Sequence, residues 1–431
     1  MNSELLDTYP KYDDYKDSGI DWLGDIPEDW QLLKVRNIFR LSNKFAEKNN
    51  SHELLSVYTE IGVKPRRELE ARGNKASTTD GYLIVEKGDI VVNKLLAWMG
   101  AIGYSNYDGV TSPAYDILKA YKPVNAVFYH YLFRDPRCVS ELKRHSRGIM
   151  NMRLRLYFDR FGDILVPYPP LKVQTNIVDF LTRKNDQIDE AIFLTLQQIK
   201  KLEEYKVILI EQAITKGIDS DCLMKDSELD WIKSIPKHWN LTKFKHLFKE
   251  VNQRSVSGTE TLLSVSQYTG ITKRADNISN GIITNAESLE GYKLVQRNQL
   301  VINIMLAWNG SLAFSDYEGI VSPAYSVYKI KADLDYRFFD YLLRSETYKA
   351  EYKRKSRGVV DSRLRLYTDD FYSIWCSFPN KKEQVEIANY LDEKTAIVNQ
   401  AINQKLEQAE RLKEYKTILI NQAVTGKIKV S

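Results

Sequence analysis

The chain has only three cysteines, Cys138, Cys222 and Cys376, and they stand far apart without the paired spacing of a metal knuckle. A disulfide framework and a structural zinc are thereby excluded, and a reducing compartment, the cytoplasm, is expected. No run of about 18 apolar residues occurs, so no membrane-spanning helix is expected. Met1–Lys16 mixes acids, Tyr and Lys, which does not fit a secretory signal. There is no Gly-x4-Gly-Lys-Ser/Thr phosphate loop; Thr425-Gly426-Lys427 lacks the preceding glycine and reads as a helix end. The Asn/Asp-Pro-Pro-aromatic tetrapeptide of an amino-methyltransferase is also missing, since Tyr168-Pro169-Pro170-Leu171 has another order. The five histidines are scattered, which leaves little basis for a metal site or a catalytic triad.

Glycine and proline are absent from the interiors of two long stretches, Gln174–Ile214 and Gln384–Val424. In the first, seam positions step by four and three through Ile188, Ile192, Thr195, Ile199, Leu202, Lys206, Leu209 and Ala213. The second repeats the steps at Val398, Ile402, Lys405, Ala409, Leu412, Lys416, Leu419 and Ala423. This is coiled-coil spacing, and each helix should run for roughly 60 Å. Two such rods suggest a spacer that holds two things apart.

What else is present points to folded domains. The chain has 431 residues, too many for one ordinary core, with a hydrophobic share of 43% and 27 Tyr. The net charge of +5 leaves 62 basic residues nearly balanced by 57 acidic ones, so only local clustering can argue for nucleic acid.

The chain is one unit written twice. Asp17-Ser-Gly-Ile-Asp-Trp22 and Ile26-Pro27…Trp30 return as Asp226-Ser-Glu-Leu-Asp-Trp231 and Ile235-Pro236…Trp239. Leu54-Leu-Ser-Val57, Leu96-Ala-Trp98 and Ser112-Pro-Ala-Tyr115 return at Leu262, Leu306 and Ser322. Ser146-Arg-Gly148 and Arg153-Leu-Arg-Leu-Tyr157 return at Ser356 and Arg363, and Leu202–Thr215 returns as Leu412–Thr425. A period this long is far above that of a solenoid and means two domain-plus-helix units in tandem. Within the first body, Gly81–Asn93 reads as two strands joined by a Lys-Gly-Asp turn, and Leu95–Leu118 as a hairpin about Asn106-Tyr-Asp-Gly109. Ala126–His145 has helical spacing, and Ile164–Pro170 is a short strand ended by prolines. The class is therefore α+β.

The densest charge lies at Lys143–Tyr157, where Lys143, Arg144, Arg147, Arg153 and Arg155 meet no acid. Lys353–Tyr367 repeats it with Lys353, Arg354, Lys355, Arg357, Arg363 and Arg365 against Asp361 alone. If Arg153–Tyr157 is extended, Arg153, Arg155 and Tyr157 share one face while Leu154 and Leu156 anchor the other. A solvated strand face would account for one copy; two copies favour guanidinium forks aimed at phosphates or guanine edges. The paired Trp residues fit core packing and docking better than base stacking. Glu204-Tyr205-Lys206 and Glu414-Tyr415-Lys416 lie on the helices and read as charge pairs, not nuclease sites.

These residues resemble the specificity subunit of a type I restriction–modification system over essentially the whole chain. The resemblance rests on Tyr15-Lys-Asp-Ser-Gly…Trp22-Leu-Gly…Ile26-Pro…Trp30, on Gly88-Asp-Ile-Val-Val-Asn-Lys94, and on Pro169-Pro170-Leu171…Gln174…Ile177…Leu181. The closing Tyr415-Lys…Ile418-Leu-Ile…Ala423-Val-Thr-Gly-Lys-Ile428 completes it. It implies two target-recognition domains, 1–168 and 221–378, a central helix at 169–220 and a distal helix at 379–431. The helices would pair antiparallel in a coiled coil, giving a pseudo-twofold, non-catalytic reader of a split double-stranded DNA site. Two methylation subunits and two restriction/translocation subunits would be its partners, and S-adenosylmethionine, ATP and Mg²⁺ would belong to them. A related system whose partner fuses methylation and cleavage is the alternative. One departure is Val173-Gln174, where the family has Glu-Gln, as in Glu383-Gln384. This puts an N-terminal carboxylate on the first helix in doubt.

Positions that share a frame but differ in chemistry are where half-sites could diverge: Lys94 against Ile304, Met99 against Asn309, and Asn151-Met152 against Asp361-Ser362. Between the framed blocks, Arg66, Arg67 and Arg72 contrast with Lys273, Arg274, Asn277 and Asn280. The candidate DNA contacts are thus Arg66, Arg67, Lys94, Arg147, Arg153, Arg155 and Tyr157, with Lys273, Arg274, Asn309, Arg357, Arg363, Arg365 and Tyr367. Exchanging residues 63–77 for 271–287 should move one half-site towards the other.

Overall fold

A computed structural model describes residues 9–59, 61–68, 79–148, 153–276, 288–331, 333–360 and 363–430. It divides into two compact units, Met1–Leu196 with Glu407–Ser431, and Gln197–Leu406. Each long helix thus serves both units.

The first unit is built on a four-stranded antiparallel sheet ordered Phe39–Leu41, Tyr115–Ala120, Ile90–Asn93, Ile102–Tyr104. Because side chains alternate across a strand, Ile90, Val92 and Leu118 face one core while Val91 and Ile117 face another. The helices Ala126–Arg134 and Pro136–His145 and the start of the first long helix cover the first face. The hairpin Leu55–Tyr58/Gly62–Pro65 and the pair Leu83–Val85/Gly109–Thr111 cover the second. That double cover explains why Ile90–Asn93 is buried at every position and reads as a continuous β-branched run.

Two expected hairpins do not form. Leu83–Val85 and Ile90–Asn93 are strands, but they enter different sheets, as do Ile102–Tyr104 and Gly109–Thr111. The turns are where their residues place them, and partners distant in sequence decide the pairing. The helical stretch splits in two because Pro136 opens a new helix whose first amides, those of Arg137 and Cys138, bond to the Asp135 side chain. The short proline-ended strand is Leu165–Tyr168, paired with Gln31–Lys34.

The second unit repeats this plan. Its sheet is Phe248–Val251, Tyr325–Ile330, Leu300–Asn303, Leu312–Phe314, with Leu300, Ile302 and Tyr328 on one core and Val301 and Val327 on the other. One pin differs in chemistry. In the first unit the Tyr104 amide donates to His130 Nδ1 at 3.2 Å, whereas in the second the Phe314 amide donates to the Asp340 carboxylate at 3.0 Å.

The long helices are Leu171–Lys216 and Lys381–Val424. All sixteen seam positions named from the sequence are buried or half-buried. In the first unit Lys416 pairs with Asp189 at 2.7 Å, and in the second Lys206 bonds Asn399 at 2.8 Å, so partner numbers fall as helix numbers rise and the helices are antiparallel. Thr195 and Thr395, buried in the seam, return their hydroxyls to the Ala191 and Leu391 carbonyls. Gly426 ends the second helix at φ 73°, and a Cβ there would stand 2.5 Å from Pro27.

The departure at Val173 has a visible consequence. Glu383 accepts from the Trp239 indole at 3.0 Å, whereas the equivalent, buried Trp30 indole meets no carboxylate among the described residues, and the first turn of the first long helix carries no acid. Among the described residues no helix is long and apolar enough to cross a membrane.

Candidate nucleic-acid interface

Among the described residues of the basic segment after Pro136–His145, Arg153 lies in a 3-10 turn and Arg155 is bridged with Arg147 through amide-to-carbonyl bonds of 2.9 and 2.8 Å, so Arg153–Tyr157 is not one extended strand. Leu156, fully buried, supplies the anchor expected of it, and its amide bonds the Lys94 carbonyl at 3.0 Å. That bond ties the arginine bridge to the loop leaving strand Ile90–Asn93. Arg147 and Arg153 are exposed, Arg155 half-buried, and Tyr157 49% exposed, enough to offer its ring to a partner. The second unit matches: Arg357 and Arg365 bridge at 2.9 Å each way, Leu366 bonds the Ile304 carbonyl, and Arg363 and Tyr367 are exposed.

Not every basic residue here is available. Arg357 is held by Asp370 at 2.8 Å and lies over the Tyr367 ring, and that carboxylate pushes its pKa upward. Arg147 meets Asp159 only at 3.7 Å. Lys94 is half-buried, 3.2 Å from Asp116 and 2.9 Å from the Pro113 carbonyl; burial pushes the Asp116 carboxyl up and Lys94 opposes it. In the second unit the same two places hold Ile304 and Ser326. Charged in one unit and uncharged in the other, this pair exchanges as a set, which fits packing better than base reading.

The hairpin side chains fall into register with an offset that differs from the rest of the body. Leu55↔Pro65 corresponds to Leu263↔Lys273, so Arg66 and Arg274 occupy the same place. Their amides bond Leu54 and Leu262 at 2.8 and 2.9 Å, and their guanidiniums offset the burial that raises the pKa of Tyr115 and Tyr325. What differs is Lys64, Pro65 and Arg67 against Thr272, Lys273 and Ala275. Arg67 pairs with Glu53 at 3.1 Å, and Lys273 lies over the Tyr317 ring at 5.5 Å. Asn309 is half-buried and accepts from Ser311 at 2.8 Å, while its counterpart Met99 is 50% exposed. Arg72, Asn277, Asn280, Asn151-Met152 and Asp361-Ser362 lie outside the described residues.

One feature is not foreseen from the sequence. Lys143 caps the Trp98 ring and Lys353 the Trp308 ring, each at 5.6 Å, while the indoles bond Leu95 and Met305 carbonyls. Trp98 and Trp308 are half-exposed at the loop, unlike the buried Trp22, Trp30 and Trp239. Both members of each pair recur at the same offset, which is the signal that could have found them.

The first unit therefore gathers Lys94, Arg147, Arg153, Arg155 and Tyr157 around one loop, with Arg66 beside Tyr115, which is paired with Asn93 at that strand's end. A family model described as a type I restriction modification DNA specificity domain matches residues 27–204. The type I restriction enzyme MjaVIII specificity subunit of Methanocaldococcus jannaschii is 24% identical, with 94% of each chain covered. The putative MjaX specificity subunit of that organism is 22% identical over 95% of this chain and 96% of its own. Among solved structures, one described as the structural basis of complex assembly and conformational transition of the type I R-M system superposes with a TM-score of 0.68 at 14% identity, covering 93% of this chain and 98% of that one. The HsdS subunit from Thermoanaerobacter tengcongensis gives 0.55 at 13% identity, covering 94% and 98%.

Proposed function

We infer from the family to which the chain belongs, the type I restriction–modification specificity subunits, that each unit reads one half of a bipartite DNA site. The reading is carried by one observation: both units present the same arginine bridge, locked to the same loop, on the same double-covered sheet. The chain itself carries out neither methylation nor cleavage. Two methylation subunits and two restriction/translocation subunits dock on it and supply S-adenosylmethionine, ATP and Mg²⁺.

The repeat also sorts the contacts. Residues identical in both units, Arg147/Arg357, Arg153/Arg363, Arg155/Arg365 and Tyr157/Tyr367, have nothing with which to distinguish two half-sites. They suit phosphates or an element common to both halves, since phosphate contacts position a protein without conveying sequence. Replacing Arg153 and Arg363 by Ala should weaken binding across sequences and lower the salt slope by about one for each phosphate released. Fluorescence anisotropy against salt measures this; an unaltered slope would remove these arginines from the interface.

Half-site differences then rest with residues that change chemistry at the shared loop, foremost the exposed Met99 against the half-buried Asn309. An amide can pair with adenine, whereas an apolar tip meets a thymine methyl, a difference of about 1–3 kcal/mol per base. Met99→Asn should alter one position of one half-site and leave the other half untouched. Methylome sequencing of cells carrying the full complex reads this directly, and an unchanged motif would assign the loop to shape or backbone contact.

A further inference from the structure

We propose that Cys222, His238 and Glu383 form a thiol-modification site in the second unit, one that accepts small disulfides. It is independent of the DNA interface. Glu383 lies in the first turn of the helix Lys381–Val424, where Asn380 caps its amide at 3.1 Å. One carboxylate oxygen accepts from the Trp239 indole at 3.0 Å and the other from His238 Nε2 at 2.7 Å. Holding the Nε2 proton leaves Nδ1 as the basic nitrogen, and Nδ1 faces Cys222 Sγ at 3.6 Å. The thiol's other acceptor is the Leu223 carbonyl at 3.7 Å.

Cys222 is half-buried and lines a cavity of about 390 Å³ with Leu209, Lys216, Gly217, Met224 and Tyr390. Around the thiol the charged groups are Lys216 from the end of the first long helix, Asp219 from the linker, His238, and Glu383 from the second long helix. Burial, then Asp219 and Glu383, push its pKa upward, so the resting group is the neutral thiol and attack requires a base. His238 is placed to be that base. Cys138 and Cys376 are fully buried and offer no competing site.

The repeat supplies an internal control. In the first unit the three places are taken by Asp13, Asp29 and Val173, so all three members are missing together. In the proposed step His238 Nδ1 takes the Cys222 proton as the sulfur attacks a disulfide R–S–S–R. The S–S bond breaks, a Cys222–S–S–R mixed disulfide forms, and the departing thiolate leaves as R–SH with the proton from His238.

The test is treatment of the full chain with oxidised glutathione near neutral pH, with adducts located by peptide mapping. A single adduct at Cys222 is expected, formed at least about tenfold faster than in His238→Gln, with Glu383→Gln also slowed. At a pH high enough to ionise the thiol outright, wild type and His238→Gln should converge, because the base is then unnecessary; this separates base action from a change in access. Equal rates near neutrality, or an adduct at Cys138 or Cys376 in preference to Cys222, would overturn the proposal.

Discussion

Removing one heptad from each long helix at facing positions, Leu196–Leu202 and Asn403–Ala409, is expected to shorten the unread spacer and leave both half-sites unchanged. The segments face one another because the pairs Asp189–Lys416 and Lys206–Asn399 bracket them in an antiparallel seam. A heptad carries roughly 10.5 Å of helix rise. If the rods lie along the duplex, that length matches about three base pairs at 3.4 Å each, and any tilt reduces it. Three base pairs also rotate one half-site by roughly 100° about the duplex, taking about 10.5 base pairs per turn. Affinity for the shortened site should therefore fall even as the spacing preference moves. Trimming only one helix should do worse, because the heptad phase survives but the two helices then differ by seven residues between their docked ends, so the Asp189–Lys416 and Lys206–Asn399 pairs can no longer form together. Methylome sequencing would show the new spacer as a changed gap in an otherwise constant motif. Methylation at the original spacing would show that the helices do not set the gap.

The long helices are legible because their pattern is local: a stripe every three or four residues with no Gly or Pro requires no knowledge of distant partners. Duplication is legible for the same reason, through blocks such as Ser112-Pro-Ala-Tyr115 and Ser322-Pro-Ala-Tyr325. Strand pairing is not. Ile90–Asn93 takes its neighbours from residues 102–104 and 115–118, while the adjacent Leu83–Val85 pairs with 109–111, and nothing in either strand encodes that choice. At the candidate interface the arginines stand out by density alone, but density does not reveal which charge is engaged. Lys94 is held by Asp116, and Arg274 proves equivalent to Arg66 only once the hairpin registers are known. The His130–Asp340 correspondence is equally hidden, because a histidine aligned with an aspartate looks like drift until both accept an amide from the same strand.

That correspondence carries the second large effect, a loss of stability in mild acid confined to the first unit. His130 is half-buried, accepts from the Tyr104 amide and lies beside Arg134; desolvation of the ring first, then Arg134, lower its pKa to about 3 from an ordinary 6.5. Protonation would both remove the acceptor and bury a second cation. The neutral ring therefore contributes its full stability above pH 6.5, and this is lost as pH falls towards 3, because the unfolded chain binds a proton that the folded one refuses. At pH 5 the loss should be about 2 kcal/mol, from roughly 1.4 kcal/mol per pH unit over the interval below 6.5. Asp340 obeys the opposite sign. Burial raises its carboxyl pKa, Arg344 at 3.4 Å opposes the rise, and mild acid relieves rather than creates a buried charge. Arg134 occupies the place of Arg344, so His130→Asp should import the second unit's pairing into the first. Urea unfolding at pH 7 and pH 5 should then show a large acid loss in the wild-type first unit and little or none in the variant. Carboxylates that titrate elsewhere are common to both proteins and cancel in the comparison. Equal acid losses in the two proteins would mean that His130 takes up its proton without disturbing the fold.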